Sequence, residues 1–173
     1  MSVEYPGEPV DGFPKPPRTV TDGEDREIEI RRVEDYSDKL VEMYLEFSPE
    51  DRAQGIPPTN EGAIREWIEA VTVEDCLNVV AFHEGRPVGH VMLVNDREGA
   101  YELAIFVLQE YQGAGIGTEL VRTVLGEAQS EDIERVWLSV ERWNTPAVAL
   151  YQKIGFETCG DDRFEKMMAL RLA

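Results

Sequence analysis

The order of apolar and polar positions along the chain alternates between two periods. Over residues 27–33, Ile28, Ile30 and Arg32 alternate with Glu29, Arg31 and Val33, the two-residue repeat of a strand. The period then lengthens. Tyr36, Leu40, Met43, Tyr44 and Phe47 recur at helical spacing behind Asp35, a suitable N-cap. Ser48-Pro49 reads as a new cap with proline at the first helical position, residues 55–58 as a loop. Ile64, Trp67, Ile68 and Val71 then mark one face of a second helix. Beyond Cys76 the two-residue period returns. Apolar runs at 77–83 and 87–94 flank Glu84-Gly85 and predict a hairpin, and residues 100–108 predict a third strand after a turn at 96–99. A helix begins near Gly115 and turns Ile116, Leu120, Val124, Leu125 and Ala128 inward. A strand at 135–140, a short helix at 145–153 and a strand pair at 155–158 and 164–170 complete the pattern. The succession predicts an α/β domain with a mixed sheet, starting at residue 26. Residues 1–25 hold Pro6, Pro9, Pro14, Pro16 and Pro17 with Gly7, Gly12 and Gly23, an extended tail or strap.

Composition narrows the function classes. The chain has 173 residues, 42% of them hydrophobic, which suits one core without disulfides or metals. With 35 acidic and 17 basic residues the formal net charge is -18. That balance argues against binding a nucleic-acid backbone, which needs clustered cations. Two readings of the acidity stand: a solvated surface suited to a salt-rich cytoplasm, or a mouth that attracts cationic substrates. The two cysteines, Cys76 and Cys159, and the two histidines, His83 and His90, are scattered and spell no metal site. Both histidines flank the hairpin and are expected to be exposed. Trp67, Trp137 and Trp143 are expected in the core or at its rim. No basic-then-apolar leader and no 18-residue apolar run occur, so a soluble cytoplasmic protein without membrane contact is expected.

The most informative segment is VLQEYQGAGIGTEL, residues 107–120, in which a strand runs through Gly113, Gly115 and Gly117 into a helix. Glycines there permit positive φ and close approach of a ligand, and the helix start presents free N–H groups to an anion such as a pyrophosphate. A P-loop is excluded because Thr118, not lysine, follows Gly117. A dinucleotide fingerprint is excluded because the spacing is GxGxG after antiparallel strands.

Gln112-Gly113-Ala114-Gly115-Ile116-Gly117 resembles the Q/R-x-x-G-x-G/A acetyl-CoA turn of the GNAT superfamily of N-acetyltransferases. Downstream, NTPAVALYQKIGF from Asn144 to Phe156 is similar to that family's N-x-x-A-x-x-L-Y-x-K-x-G-F segment. The likeness covers about residues 27–171 and implies a GNAT fold, a mostly antiparallel mixed sheet splayed at its centre and flanked by about four helices. It implies acetyl-CoA as cosubstrate. The pantetheine arm would pair with main-chain groups of Phe106, Val107 and Leu108. The pyrophosphate would lie on the amides of Gln112, Gly113, Ala114, Gly115, Ile116, Gly117 and Thr118, and Asn144 would hold the pantetheine or its own segment's backbone. The family often carries Lys or Arg where Ala114 stands, and Arg122 is the nearby cation left to compensate.

The resemblance also implies roles. An alkyl ammonium with pKa near ~10.4 is not a nucleophile at neutral pH, so a base is needed. Glu102, in YELAIFV, matches the acid of an A-E-x-A pattern, though Tyr101 departs from it; a solvent-facing strand glutamate is the other reading. Tyr151 resembles the general acid for the departing thiolate, and its other reading is a core aromatic beside Phe156. A backbone N–H near Phe106 or Val107 would hold the oxyanion. Acceptor specificity is expected from residues 48–60, with Glu50, Asp51 and then Glu61, and from the late strand pair. The acceptor implied is a primary amine, with a protein lysine ahead of a polyamine, aminoglycoside or amino acid. A CoA-binding sensor without turnover is the reading from another class. Antiparallel dimers are common in the family, so a homodimer is carried as an expectation.

Overall fold

The computed structural model describes residues 3–33, 38–47, 58–73 and 75–173. The expectations for Asp35, Tyr36, Ser48, Pro49, Glu50, Asp51 and most of the loop at 55–58 lie outside the described residues. Among the described residues the elements are β1 (Arg18–Thr21), β2 (Glu27–Arg32), α1 (Asp38–Leu45), α2 (Glu61–Val71), β3 (Leu77–His83), β4 (Arg86–Asn95), β5 (Tyr101–Val107), α3 (Ile116–Ser130), β6 (Arg135–Glu141), α4 (Thr145–Ile154), β7 (Glu157–Asp161) and β8 (Glu165–Arg171). They build one sheet in the order β1-β2-β3-β4-β5-β6-β8-β7. Neighbours are antiparallel except β5 and β6, which are parallel.

Burial follows from which faces are covered. Ile28 and Ile30 of β2 are buried while Glu27, Glu29 and Arg31 are exposed, as a strand with one covered face requires. β3 and β4 are apolar almost throughout because helices cover both faces. On one face α3 packs with Ile116, Leu120, Val121, Val124, Leu125 and Ala128 inward, and Leu120 lies so close to β4 that a Cβ at Gly89 would stand 2.8 Å from its Cδ1. On the opposite face lie α1 and α2. Asn60 caps α2 by accepting from Ala63 N–H at 2.8 Å.

His90 corrects the expectation of an exposed hairpin histidine. It is the fifth residue of β4, fully buried. Tyr44 Oη lies 2.6 Å from its Nδ1 and Asn78 Oδ1 2.8 Å from its Nε2, and Asn78 Nδ2 donates to Val71 O at 2.8 Å. One tautomer satisfies every group: the Tyr44 hydroxyl donates to Nδ1, and Nε2–H donates to Asn78. Burial holds the imidazole at a pKa of about 3, so it is neutral. Trp143, at 63% exposure, also departs from expectation and stands clear of the core.

The sheet starts earlier in the chain than the pattern predicts. β1, from the proline-rich segment, pairs with β2 across Arg18↔Ile30 to Thr21↔Glu27. Upstream, Val10 bridges Leu172, and Phe13 and Pro14 cross α3 at Gly126 so closely that a Cβ there would overlap the Pro14 carbonyl. Arg18 reaches Glu119 and Thr123 Oγ1 on α3, each at 2.9 Å. These contacts make the segment a strap across the back of α3.

Candidate active site

The parallel pair is short. β5 and β6 meet only at Tyr101↔Val136 and Glu102↔Trp137, whereas β5 runs on to Val107 and β6 to Glu141. Beyond Glu102 the strands part. The vertex is held by Trp137, whose indole N–H donates to Asp96 Oδ2 in the β4–β5 turn at 2.9 Å. A cleft of about 700 Å³ occupies the gap. Leu150 and Tyr151 of α4 line it beside α3, and Phe47 and Phe106 line it from the face of α1 and α2. Among the described residues the cleft is thus lined from both faces of the sheet.

Strand parity decides which backbone groups face this gap. Leu108 N–H donates to Val88 O at 3.0 Å, so Leu108, Phe106 and Ala104 spend their polar groups on β4. The groups of Leu103, Ile105 and Val107 point the other way, where β6 has left. Leu108 departs from its expected role, being buried with its N–H engaged, and of the expected oxyanion donors Phe106 and Val107 only Val107 lies on the open edge, with Ile105 beside it there. Phe106 faces the site with its ring instead.

At the end of β5 a single 3₁₀ turn (Gln109–Tyr111) leads into the glycines. Gly113 and Gly115 take φ of +75° and +88°, where a side chain would be strained, and nothing stands within 4 Å of a Cβ added at either. Gly115 is the N-cap of α3, and the first intrahelical bond runs from Glu119 N–H to Gly115 O. The N–H groups of Ile116, Gly117 and Thr118 precede that bond, so the helix cannot satisfy them. Gln112 differs from its expected role. Its backbone N–H goes to Gln109 O at 3.1 Å and its side chain donates to Val107 O at 2.9 Å, so it braces the turn. Ala114 is buried, and its carbonyl accepts from Gly23 N–H of the β1–β2 turn at 2.8 Å. Asp22 orders that turn. Burial works against its charge, but bonds from Arg26 N–H, the Arg26 guanidinium and Glu24 N–H leave its carboxyl below the usual value.

Asn144 caps α4, accepting from Ala147 N–H at 3.3 Å, and lines the cleft. Two turns on stands Tyr151. Its ring packs edge-on against Phe156 at 5.8 Å between centroids, and it also lines the cleft. Burial pushes its phenol up to about 12. Glu102 projects on the same sheet face as Ala104 and Phe106, at the vertex. By area it is exposed, yet enough protein surrounds it that burial raises its carboxyl, and Asp96 and Glu165 push the same way. Arg122 pairs with Glu119 at 3.2 Å, away from the cleft lining. The cation at the cleft is Lys153, which has no acidic partner among the described residues.

A gap between strands, rimmed by helix-start amides and an exposed strand edge, is the form expected of an acyl-CoA slot. The sequence profile of the Acetyltransferase (GNAT) family matches residues 37–156. The chain belongs to this family. Its fold agrees with solved GNAT structures. The GNAT domain of S. lividans PAT superposes with a TM-score of 0.77 at 16% identity, covering 90% of this chain and 97% of that one. Ribosomal-protein-alanine N-acetyltransferase from Brucella melitensis gives 0.70 at 21%, covering 83% and 99%. Among curated proteins, an uncharacterized N-acetyltransferase of Mycobacterium bovis is 36% identical over 87 residues, 50% of this chain. A mycothiol acetyltransferase of Saccharomonospora viridis is 38% identical over 78 residues, 45% of this chain. The matched stretches span 56% of the first and 22% of the second. GNAT acetyltransferases use acetyl-CoA as cosubstrate.

Several cleft-lining residues were not among the expected site residues. Pro146, Ala149, Leu150 and Lys153 line the cleft from α4. Their spacing of three, one and three is a single helical face, a signal already present in the sequence. Ile105 was legible only once the strand partner was known. Phe47 lies just beyond α1, distant in sequence from the rest of the lining, and its spacing marked it for burial but not for the cleft.

Proposed function

We propose that this GNAT domain transfers the acetyl group of acetyl-CoA to a primary amine, by direct attack in a ternary complex, with a protein lysine as acceptor. The through-sheet cleft carries the reading. A donor held on the α3 side along β5 presents its thioester to an acceptor arriving over α1 and α2. The free N–H of Ile105 or Val107 receives the carbonyl oxygen as it gains charge. The amine nitrogen forms the new C–N bond, the C–S bond breaks, and CoA leaves as thiolate. The ammonium gives one proton to Glu102 through water before attack, and the second, released from nitrogen as the amide forms, passes through water to solvent. Its raised pKa suits a base better than an ordinary strand carboxylate.

Tyr151 acts differently from a simple acid. A phenol near 12 giving its proton to a thiolate whose thiol has a pKa near ~8.5 would be uphill by about 5 kcal/mol. It therefore donates a hydrogen bond to the developing thiolate and remains protonated. Lys153 and the amides of 113–118 would hold the phosphates.

The experiment is a CoA-release assay with acetyl-CoA and a panel of lysine peptides, then polyamines, aminoglycosides and amino acids, with mass spectrometry of the acceptor. Lysine-peptide acetylation is expected. Turnover confined to the small amines would replace the protein acceptor with a small-molecule one. Binding of acetyl-CoA with no product from any amine would leave a sensor in place of an enzyme.

A further inference from the structure

Resting on the reading of the cleft as an acyl-CoA slot, we infer that Phe47 and Phe106 form a stop that confines the transferred acyl group to acetyl and excludes butyryl and longer chains. The phosphate end of the donor is fixed by the amides at the start of α3, and the exposed strand edge leads from Val107 back to Ile105. A thioester whose oxygen meets the Ile105 N–H must send its acyl carbon toward one face of the sheet. The α3 side of this edge is taken by the donor's own pantetheine arm, which would run past Leu150 and Ile105, whose Cδ1 atoms stand 3.7 and 3.8 Å from a Cβ placed at Gly117. The acyl group therefore points to the other face, where the cleft is walled by Phe106 and Phe47.

That wall is held from behind. Phe106 makes edge contacts with Tyr44, Trp67 and Phe47 at centroid separations of 5.7, 5.5 and 6.3 Å. Tyr44 also stacks on Phe47 at 5.5 Å and meets Trp67 at 5.1 Å. Its hydroxyl is tied to His90 at 2.6 Å, which fixes the ring against β4. Phe47 is only 5% exposed and Tyr44 is fully buried. Rotating Phe106 or Phe47 aside would disturb the whole group, and packed interiors yield poorly to added methylenes. A methyl fits against such a wall; two further carbons need space the rings occupy. Phe47 and Phe106 are thus specificity residues, and Tyr44 is a positioning residue that acts through them.

The test compares acetyl-, propionyl-, butyryl- and hexanoyl-CoA, by kcat/KM with one acceptor and by calorimetric Kd. The wild type should favour acetyl-CoA over butyryl-CoA by about 10-fold or more in both, the discrimination that methylenes command in a closed apolar site. Phe47→Ala, and independently Phe106→Leu, should narrow that ratio by about 10-fold, and Tyr44→Phe by a smaller factor with its melting curve recorded alongside. Wild-type protein handling butyryl-CoA as well as acetyl-CoA would overturn the stop, whatever the variants do. So would unchanged ratios in both folded phenylalanine variants. If either fails to fold, the other and the wild-type Kd series decide. Failure to bind any CoA species would instead remove the acyl-transfer reading itself, an outcome distinct from binding all of them equally.

Discussion

At the residue scale the site depends on side chains whose surroundings differ from their sequence neighbours'. Glu102 stands where β5 and β6 part, with Asp96 and Glu165 near enough to raise its carboxyl further. A base must be deprotonated to act, so activity should fall on acidification at a pH above the ordinary ~4.3 of a glutamate. Glu102→Gln should lower kcat by about 10²-fold and leave the Kd for acetyl-CoA little changed. A pH–rate profile with the same acidic limb in both proteins would remove Glu102 from the mechanism. His90 has its pKa shifted the other way, and the consequence falls on stability. Its folded pKa, about 3, lies below the unfolded value near ~6.5. Its contribution to stability is complete above ~6.5 and is lost as pH falls toward 3, because the unfolded chain takes the proton first. Between pH 6.5 and 4.5 that loss amounts to about 2–3 kcal/mol. Urea unfolding across this window should show the slope in the wild type and a flatter one in His90→Gln. The motif residues were legible at this scale: Gly113, Gly115, Asn144 and Tyr151 all reach the cleft. Phe47 was not, because its place depends on the packing of α1 rather than on any local pattern.

At the element scale the sequence periods map onto the helices and strands closely, since each period reflects a face that must be buried. The exceptions are instructive. The four residues of β1 do alternate in burial, but four residues among prolines are too few to read as a strand. Only pairing with β2 and the anchorage of Arg18 to α3 make them one. Gly126 is the counterpart on α3. A mid-helix glycine costs about 1 kcal/mol against alanine, so Gly126→Ala would ordinarily stabilise a helix. Here the added methyl would overlap backbone of Pro14 and Phe13. The expected net effect is destabilisation of about 1–3 kcal/mol, with the strap lifted and open to proteolysis. In a chain lacking residues 1–15 the sign should reverse. Thermal melts of the two pairs check this, and a stabilising effect in the full chain would mean that the strap does not press on α3.

At the scale of the whole molecule, charge and cleft must be considered together. The net charge of -18 surrounds a slot for an anionic donor. Several arginines are already committed to acids, as in Arg32 with Glu127 and Glu131 and Arg86 with Glu46 and Glu110. Among the described residues lining the cleft, Lys153 and backbone amides are left to offset the repulsion. Raising salt from ~0.01 to ~1 M shortens the screening length from about 30 to about 3 Å. Acetyl-CoA should accordingly bind more tightly in high salt, in contrast to the usual weakening of phosphate contacts. A titration in which affinity falls steadily with salt would contradict this.

Periodicity, glycine spacing and the downstream Asn-to-Phe segment were enough, within the sequence, to determine the kind of fold, its element order from β2 onward and the turn that would cradle a phosphate. Those signals are local: burial of a face, the sign of φ at Gly113 and Gly115, and an unsatisfied helix start are properties of neighbouring residues. Which backbone edge lies open, how the cleft passes from one face of the sheet to the other, and which aromatics wall it were decided only in three dimensions. They depend on strand parity, on the divergence of β6 after Glu102 and on the meeting of α1 with β5, and each of these joins residues far apart in the chain.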